Sequence, residues 1–303
     1  MNKGFKYKTI LVLSSAILLV ACEKFMAYDA LPDGLIAFNQ DGLVLDTSVE
    51  TKATEVTEST LDNNGFNVSC SVGPAESEVM VWNNTAFSKS NGVFIAEGEG
   101  KWWPTSDPNY LFFASNSALT FTTSGCTVAA SNTTDIVCAY LPSSFYKQVN
   151  SLTFNHIFAR IGSVTVNASP DYTISGVSIR ITPKTSGTYN VRIGNNQTDG
   201  TGWSNTFTGT ETEIANASPG IKSNDIYLIP GIYSLTATWT AAKEGEYTET
   251  FTDKTYNISV TGGKVNSISA TLSGNAEEIN FLVYITPWES NSTNAKFRSD
   301  STE

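Results

Sequence analysis

The stretch "YSLTATWTA", residues 233–241, alternates large or apolar side chains with hydroxyls: Tyr233, Leu235, Ala237 and Trp239 fall on one side, and Ser234, Thr236, Thr238 and Thr240 on the other. A period of two is that of a strand that buries one face and wets the other. The stretch therefore predicts a strand laid over a core.

Moving outward, the same period recurs. "GVSIRITP" (176–183) sets Val177, Ile179 and Ile181 on one face, and "EINFLVYITPW" (278–288) does the same with Ile279, Phe281, Val283 and Ile285 before stopping at Pro287. "TYNISVTGGKVNSISATL" (255–272) alternates as far as Val260, turns at Gly262 and Gly263, and resumes at Val265, which predicts a hairpin. No long segment has a helical period. Short runs punctuated by Gly, Asn, Asp, Ser and Pro at a spacing of roughly 8–12 residues predict sandwiches or barrels, so the fold class is all-β. Residues 46–65, "DTSVETKATEVTESTLDNNG", are the exception, with only Val49, Val56 and Leu61 as large apolar residues. They predict an exposed connection between "GLIAFN" (34–39) and the strand "GFNVSC" (65–70). A second polar segment, 289–303, closes the chain, and both are the kind of segment that moves or is cut.

Residues 1–22, "MNKGFKYKTILVLSSAILLVAC", begin with Lys3, Lys6 and Lys8 and continue with an apolar run from Ile10 to Val20. That run is about half of the roughly 20 residues a membrane span needs, so residues 1–21 predict a secretory signal. The ending Leu19-Val20-Ala21-Cys22 resembles the lipobox of bacterial lipoproteins, which implies Cys22 as a lipidated mature N-terminus. Acyl chains buried at about 0.8 kcal/mol per CH₂ hold such a protein on a membrane. The rest of the chain exceeds the usual size of one domain and predicts two. Loss of three lysines and no acids with the signal takes the formal charge from -11 to -14. Such a surface repels phosphate backbones, so nucleic acid is not an expected partner.

Chemistry finds little support. The chain has one histidine, His156, and period-two alternation places it with Leu152, Phe154 and Phe158 on one packed strand face. Its expected role is structural. Besides Cys22, three cysteines remain, so at least one is unpaired within the chain. Cys126 and Cys138 flank the turn-like "SNTTD" (131–135), where a disulfide is left open, while Cys70 is expected to pack as a small apolar residue. No Cys/His spacing fits a metal. "DNNG" (62–65) has its glycine too early for an EF-hand, and "GEGK" (98–101) lacks the first glycine and the Ser or Thr of a phosphate loop. No carboxylate pair stands out among 29 acidic residues. Six tryptophans raise sugar binding as an alternative, though Trp102 and Trp103 in "KWWP" point to opposite faces of any strand.

Several stretches, in order, resemble one family. The lipobox is followed by "TKATEVTESTLDNNGFNVSC" (51–70), "KWWPTSDPNYLFFAS" (101–115), "LTFNHIFARI" (152–161) and the closing "EINFLVYITPW". The chain is similar to the fimbrillins, subunits of the type V pili of Gram-negative gut and oral anaerobes. The resemblance implies two tandem transthyretin-like β-sandwiches, here 22–149 and 150–303, with no enzymatic activity and no cofactor. It implies export as an outer-membrane lipoprotein, then a trypsin-like cut that removes the lipid and a first strand within 22–52. Mapped onto this chain, the cut falls between Lys52 and Ala53, and the released strand centres on Leu35, Ile36, Ala37 and Phe38. No arginine precedes Arg160, so cleavage at Lys52 requires a protease that accepts lysine; otherwise the subunit keeps its lipid. The groove so opened would take a strand from another pilin subunit, with the strands after Tyr256 as this chain's own donor. The alternative is a tip-located or non-polymerising surface lipoprotein that binds host or bacterial glycans through aromatics such as Trp203 and Trp288.

Overall fold

A computed structural model describes residues 31–32, 34–40, 44–45, 56–74, 77–103, 109–122, 125–129, 134–144, 150–194, 202–217, 219–222, 226–274 and 280–287. In the first part of the chain these form β1 (Ala37–Asn39), β2 (Val44–Leu45), helix α1 (Glu58–Asn64), β3 (Phe66–Val72), β4 (Val79–Ser90), β5 (Val93–Ala96), β6 (Tyr110–Ser115), β7 (Phe121–Thr122), β8 (Gly125–Ala129), β9 (Val137–Ser144) and β10 (Thr153–His156). The second part contributes β11 (Ala159–Ala168), β12 (Thr173–Ile181), β13 (Lys184–Tyr189), β14 (Trp203–Thr208), β15 (Thr212–Ala217), β16 (Gly220–Lys222), β17 (Ile226–Leu228), β18 (Gly231–Lys243), β19 (Tyr247–Val260), β20 (Lys264–Leu272) and β21 (Asn280–Pro287). The fold is all-β, in the sandwich arrangement the alternating pattern predicts.

The clearest sandwich lies in the second part. One sheet has the order β15-β12-β18-β19, and the other β16-β11-β20-β21 with β17 also on β11. Their inner faces meet in a core that includes Val177, Ile179, Ile181, Tyr233, Leu235, Ala237 and Trp239, the residues that alternation assigns to it. Trp239 is fully buried, stacks on Phe251 at 4.8 Å between centroids, and donates its indole N–H to the Ser273 carbonyl at 2.9 Å. β21 departs from the expected pattern: Phe281 and Val283 pack partly on the core, whereas Ile285 is half exposed.

The hairpin expected at Gly262–Gly263 does not form. β19 pairs with β18, whereas β20 pairs in parallel with β11 and antiparallel with β21, so this turn carries the chain from one sheet to the other. The buried Asn266 explains it. Its amide accepts from the Thr261 N–H at 2.9 Å and donates to the Thr261 and Lys264 carbonyls at 3.1 and 3.0 Å, occupying groups that a hairpin ladder would pair. Gly263 N–H donates to the Phe158 carbonyl at 2.8 Å and ties the turn to the start of β11.

In the first part, an eight-stranded sheet runs β1-β5-β4-β3-β6-β9-β10-β2 and wraps an aromatic core of Phe38, Phe66, Phe87, Phe94, Phe112 and Phe154. β10 still belongs to this sheet although it lies beyond residue 150. The segment expected to be an exposed connection is partly built in: Val56 and Leu61 are buried in this core. Thr57 caps α1 by accepting from the Thr60 N–H, and Gly65 closes it through its N–H to the Leu61 carbonyl. Gly65 has φ +71°, and a Cβ there would sit 2.1 Å from the Phe87 carbonyl oxygen, so only glycine lets the helix end this close to β4.

A third sheet, β14-β13-β8-β7, draws two strands from each part of the chain. Its core gathers Phe113, Phe121, Cys126, Val128, Cys138, Ile157, Phe158, Tyr189 and Tyr227. Gly125, at φ +126°, permits the contact, since a Cβ would lie 2.4 Å from the Tyr189 carbonyl oxygen. The two parts are thus stitched by a continuous ladder as well as by side chains.

Truncating Trp239→Ala should cost about 3–5 kcal/mol, as large-to-small changes of buried aromatics do, whereas Ser234→Ala on the exposed face of the same strand should stay within about 0.5 kcal/mol. Urea unfolding followed by tryptophan fluorescence and far-ultraviolet circular dichroism measures both.

Candidate functional site

The feature of the first part that invites a function is how its sheet closes. Residues 34–39 occupy a seam. On one side β1 is antiparallel to β5, with Ala37 opposite Ile95, Phe38 opposite Phe94 and Asn39 opposite Val93. The pairing continues beyond β5 onto Lys101–Trp103: Ile36 N–H donates to the Lys101 carbonyl at 2.7 Å, and Trp103 N–H to the Gly34 carbonyl at 3.0 Å. On the other side Phe38 bridges Asn150 in parallel, and Asn39 N–H donates to the Asn150 carbonyl at 3.0 Å. Asn150 is itself buried, its side-chain oxygen accepting from the Ser144 hydroxyl. One short strand therefore joins two edges that face each other.

Within the seam Ile36 and Phe38 are fully buried, and Ala37 is nearly so. Phe38 meets Phe87 and Phe112 edge-on at 5.3 Å and Phe66 at 6.0 Å. Burying Ile36 and Phe38 is worth about 1.5–3 kcal/mol each, and each ladder hydrogen bond adds a net of about 1 kcal/mol. Leu35 is half buried against the chain at Trp102. Trp103 turns inward onto Tyr110 and Phe112 at 4.8 and 5.8 Å, while Trp102 is half exposed. The neighbouring tryptophans do point to opposite faces.

The single histidine lies at the other end of this wall. β10 ends at His156, and the alternation breaks there: Leu152 and Phe154 face the first core, whereas Ile157 and Phe158 enter the core between the two parts. His156 Nδ1 is 2.8 Å from Asp135 Oδ2, with both side chains almost wholly buried. The same carboxylate oxygen accepts from the Val56 N–H at 3.0 Å. Asn116 holds the Asp135 loop, donating to the Asp135 carbonyl at 3.2 Å and accepting from the Val137 N–H at 2.9 Å. Asp135 thus fastens the chain entering α1 to the junction between the two parts. A second pair, the partly exposed Arg192 with the buried Glu78, crosses the same junction, and the guanidinium lies over Phe113 and Tyr140 at 5.4 and 5.7 Å.

Among the expected site residues, Leu35, Ile36, Ala37 and Phe38 come together in the seam. Cys22, Lys52 and Ala53 lie outside the described residues, as does Trp288. Trp203 is half buried against Phe158 and Tyr189 at 5.7 and 5.0 Å and serves the junction. Cys70 is buried in the first core, where desolvation pushes its thiol up to about 12. Sequence reasoning missed Asp135 and Asn150: the first is the last residue of "SNTTD", legible only as a turn, and the second is an unremarkable Asn before a strand. Among the described residues no group of three or more His, Cys, Asp or Glu side chains gathers to hold a metal. A cleft of about 350 Å³ opens at the junction beside Thr153, Asn155 and Lys264.

The fimbrillin-like family model matches residues 51–288. Among solved structures, a fimbrial protein from Bacteroides vulgatus superposes with a TM-score of 0.54 at 15% identity, covering 80% of this chain and 99% of that one. A putative cell adhesion protein from Parabacteroides distasonis gives 0.53 at 11% identity, covering 86% and 99%. At such identities these neighbours establish the fold. No curated protein matches the chain.

Phe38→Ala should lower stability by about 3–5 kcal/mol and increase hydrogen exchange at β5 and Asn150 before the second part of the chain responds. Asp135→Ala, which removes the buried carboxylate that accepts from the Val56 N–H and lies beside His156, should cost about 1–3 kcal/mol. His156→Gln should change stability alone. Thermal unfolding with hydrogen-exchange mass spectrometry distinguishes the regions affected.

Proposed function

The chain belongs to the fimbrillin-like family, and on that premise we propose that it is a structural, non-enzymatic subunit of a cell-surface pilus, assembled by strand exchange. The observation that carries this reading is the seam: residues 34–39 are hydrogen-bonded on both sides, bury two large side chains, and are followed by a lysine-containing polar stretch. Removal of that strand would leave unpaired groups on β5, on Lys101–Trp103 and at Asn150, together with cavities shaped for side chains two residues apart. Unpaired edges of this kind are templates for strand addition.

Export and anchoring follow from the N-terminus in the same proposal. Residues 1–21 direct secretion, Cys22 carries the lipid that holds the precursor on the outer membrane, and a cut after Lys52 frees it. The hydrogen bond from Val56 to Asp135 supports Ala53 as a workable new N-terminus, because the chain is gripped again three residues later. Peeling beyond that point would break the buried Asp135 cluster.

The donor we favour is β21. Among the described residues it is an edge strand paired only with β20, it alternates Phe281, Val283 and Ile285, and Leu282, Tyr284 and Ile285 are each more than half exposed. A strand that is apolar on both faces yet sits on an edge has more surface to bury in a neighbour's groove than in its own sheet.

N-terminal sequencing of the protein extracted from cell surfaces should read from Ala53, and unheated detergent gels should show a ladder of polymers. Lys52→Gln should leave a lipidated Cys22 terminus and a single monomer band. A wild-type protein that always retains Cys22 and runs only as monomer would sink the stalk-subunit reading.

A further inference from the structure

The sheet β14-β13-β8-β7 buries one face in the junction: Cys126, Val128 and Tyr189 belong to that core and Trp203 packs against it. The residues next to them in sequence, Thr127, Thr188 and Ser204, therefore point the other way. Thr188 is directly opposite Thr127 on one side and Ser204 on the other, so three hydroxyls form a row across three strands. A bulge adds an aromatic ring to this face. From the Thr188–Ser204 pair to the Ser186–Phe207 pair, β13 advances two residues and β14 three, with Asn205 at φ +48°. The extra residue turns Phe207 outward, where it is 66% exposed, and Thr206 inward, where it and Trp203 crowd Gly187. Trp203, the aromatic that the sequence offers for glycans, is thereby held behind the sheet. Beside the hydroxyl row opens a cleft of about 580 Å³, lined by Thr120, Thr122, Thr127, Thr188, Ser204 and Asn205. We propose that this face is a binding site for a neutral oligosaccharide, with Phe207 as its stacking platform and Thr127, Thr188 and Ser204 as its hydrogen-bonding track.

The chemistry of the face selects the ligand. A pyranose has a C–H face that lies flat on an aromatic ring and a rim of hydroxyls that both donate and accept, and threonine and serine hydroxyls and the Asn205 amide do the same in return. No charged residue lines the cleft among the described residues, and the chain carries a formal charge of -11. An acidic sugar or a phosphate would meet no cation here and a repelling field from the rest of the molecule. The dimensions fit as well. Strands lie about 4.8 Å apart, so the row from Thr127 to Ser204 spans about 10 Å, the length of a disaccharide, and the cleft volume falls within the range of small-ligand sites. Because Thr120, Thr122 and Thr127 come from the first part of the chain and Thr188, Ser204 and Phe207 from the second, the face exists only where the β8–β13 ladder has formed.

The test is an array of immobilised neutral, sialylated and sulfated glycans probed with the intact protein, followed by titration of the best-retained neutral glycan. Neutral glycans should be retained in preference to the acidic ones. Phe207→Ala should lower affinity about tenfold or more with an unchanged urea midpoint, while Phe207→Trp should bind at least as well as the wild type. Thr188→Val and Ser204→Ala should each weaken binding about 3–10-fold. Trp102→Ala, which removes a half-exposed tryptophan elsewhere on the surface, should leave binding unchanged. Retention of no neutral glycan, a preference for the acidic ones, or wild-type affinity in Phe207→Ala would overturn the proposal. Phe207→Ala that keeps glycan retention but loses the polymer ladder in unheated gels would assign the face to a subunit contact and overturn it equally.

Discussion

Everything in the first part of this protein depends on the obligation of buried backbone groups to find partners. Its sheet curls until two edges face each other, β5 with Lys101–Trp103 on one side and Asn150 on the other. Neither edge is left to water. A strand of six residues satisfies both, and because it runs through the core wall it must also fill the space beneath with Ile36 and Phe38. Hydrogen bonding and packing are thus met by the same few residues, which is what the strand-exchange proposal requires of the element.

Under the strand-exchange proposal the rest of the molecule must stay folded when the strand leaves. The structure isolates it in two ways. Asp135 grips Val56 and His156, so a disturbance running along the chain from the seam meets a buried polar cluster before it reaches α1. The second part holds together through its own sandwich, and the ladder from β8 to β13 fastens the two parts with backbone bonds that do not pass through β1. The Arg192–Glu78 pair, its guanidinium lying over the stacked rings of Phe113 and Tyr140, adds a charged contact to that junction.

Much of this was legible in the sequence. The alternation of Tyr233, Leu235, Ala237 and Trp239, and of Val177, Ile179 and Ile181, placed each side chain on the face it occupies. Where pattern reading failed, side-chain hydrogen bonds had overridden it. Asn266 takes the groups of the predicted hairpin and sends β20 across to the opposite sheet. Thr57 and Gly65 turn a polar stretch into a capped helix with Leu61 as its single buried anchor.

The sequence by itself determined the all-β class and, along strands such as β12 and β18, which residues face inward, because both follow from local periodicity. Only the tertiary structure decided which edges meet. That His156 pairs with Asp135 and that Asn150 closes against Asn39 are contacts across long sequence separations. Sheet register and the curl of a wall set them, and neither leaves a periodic trace in the chain.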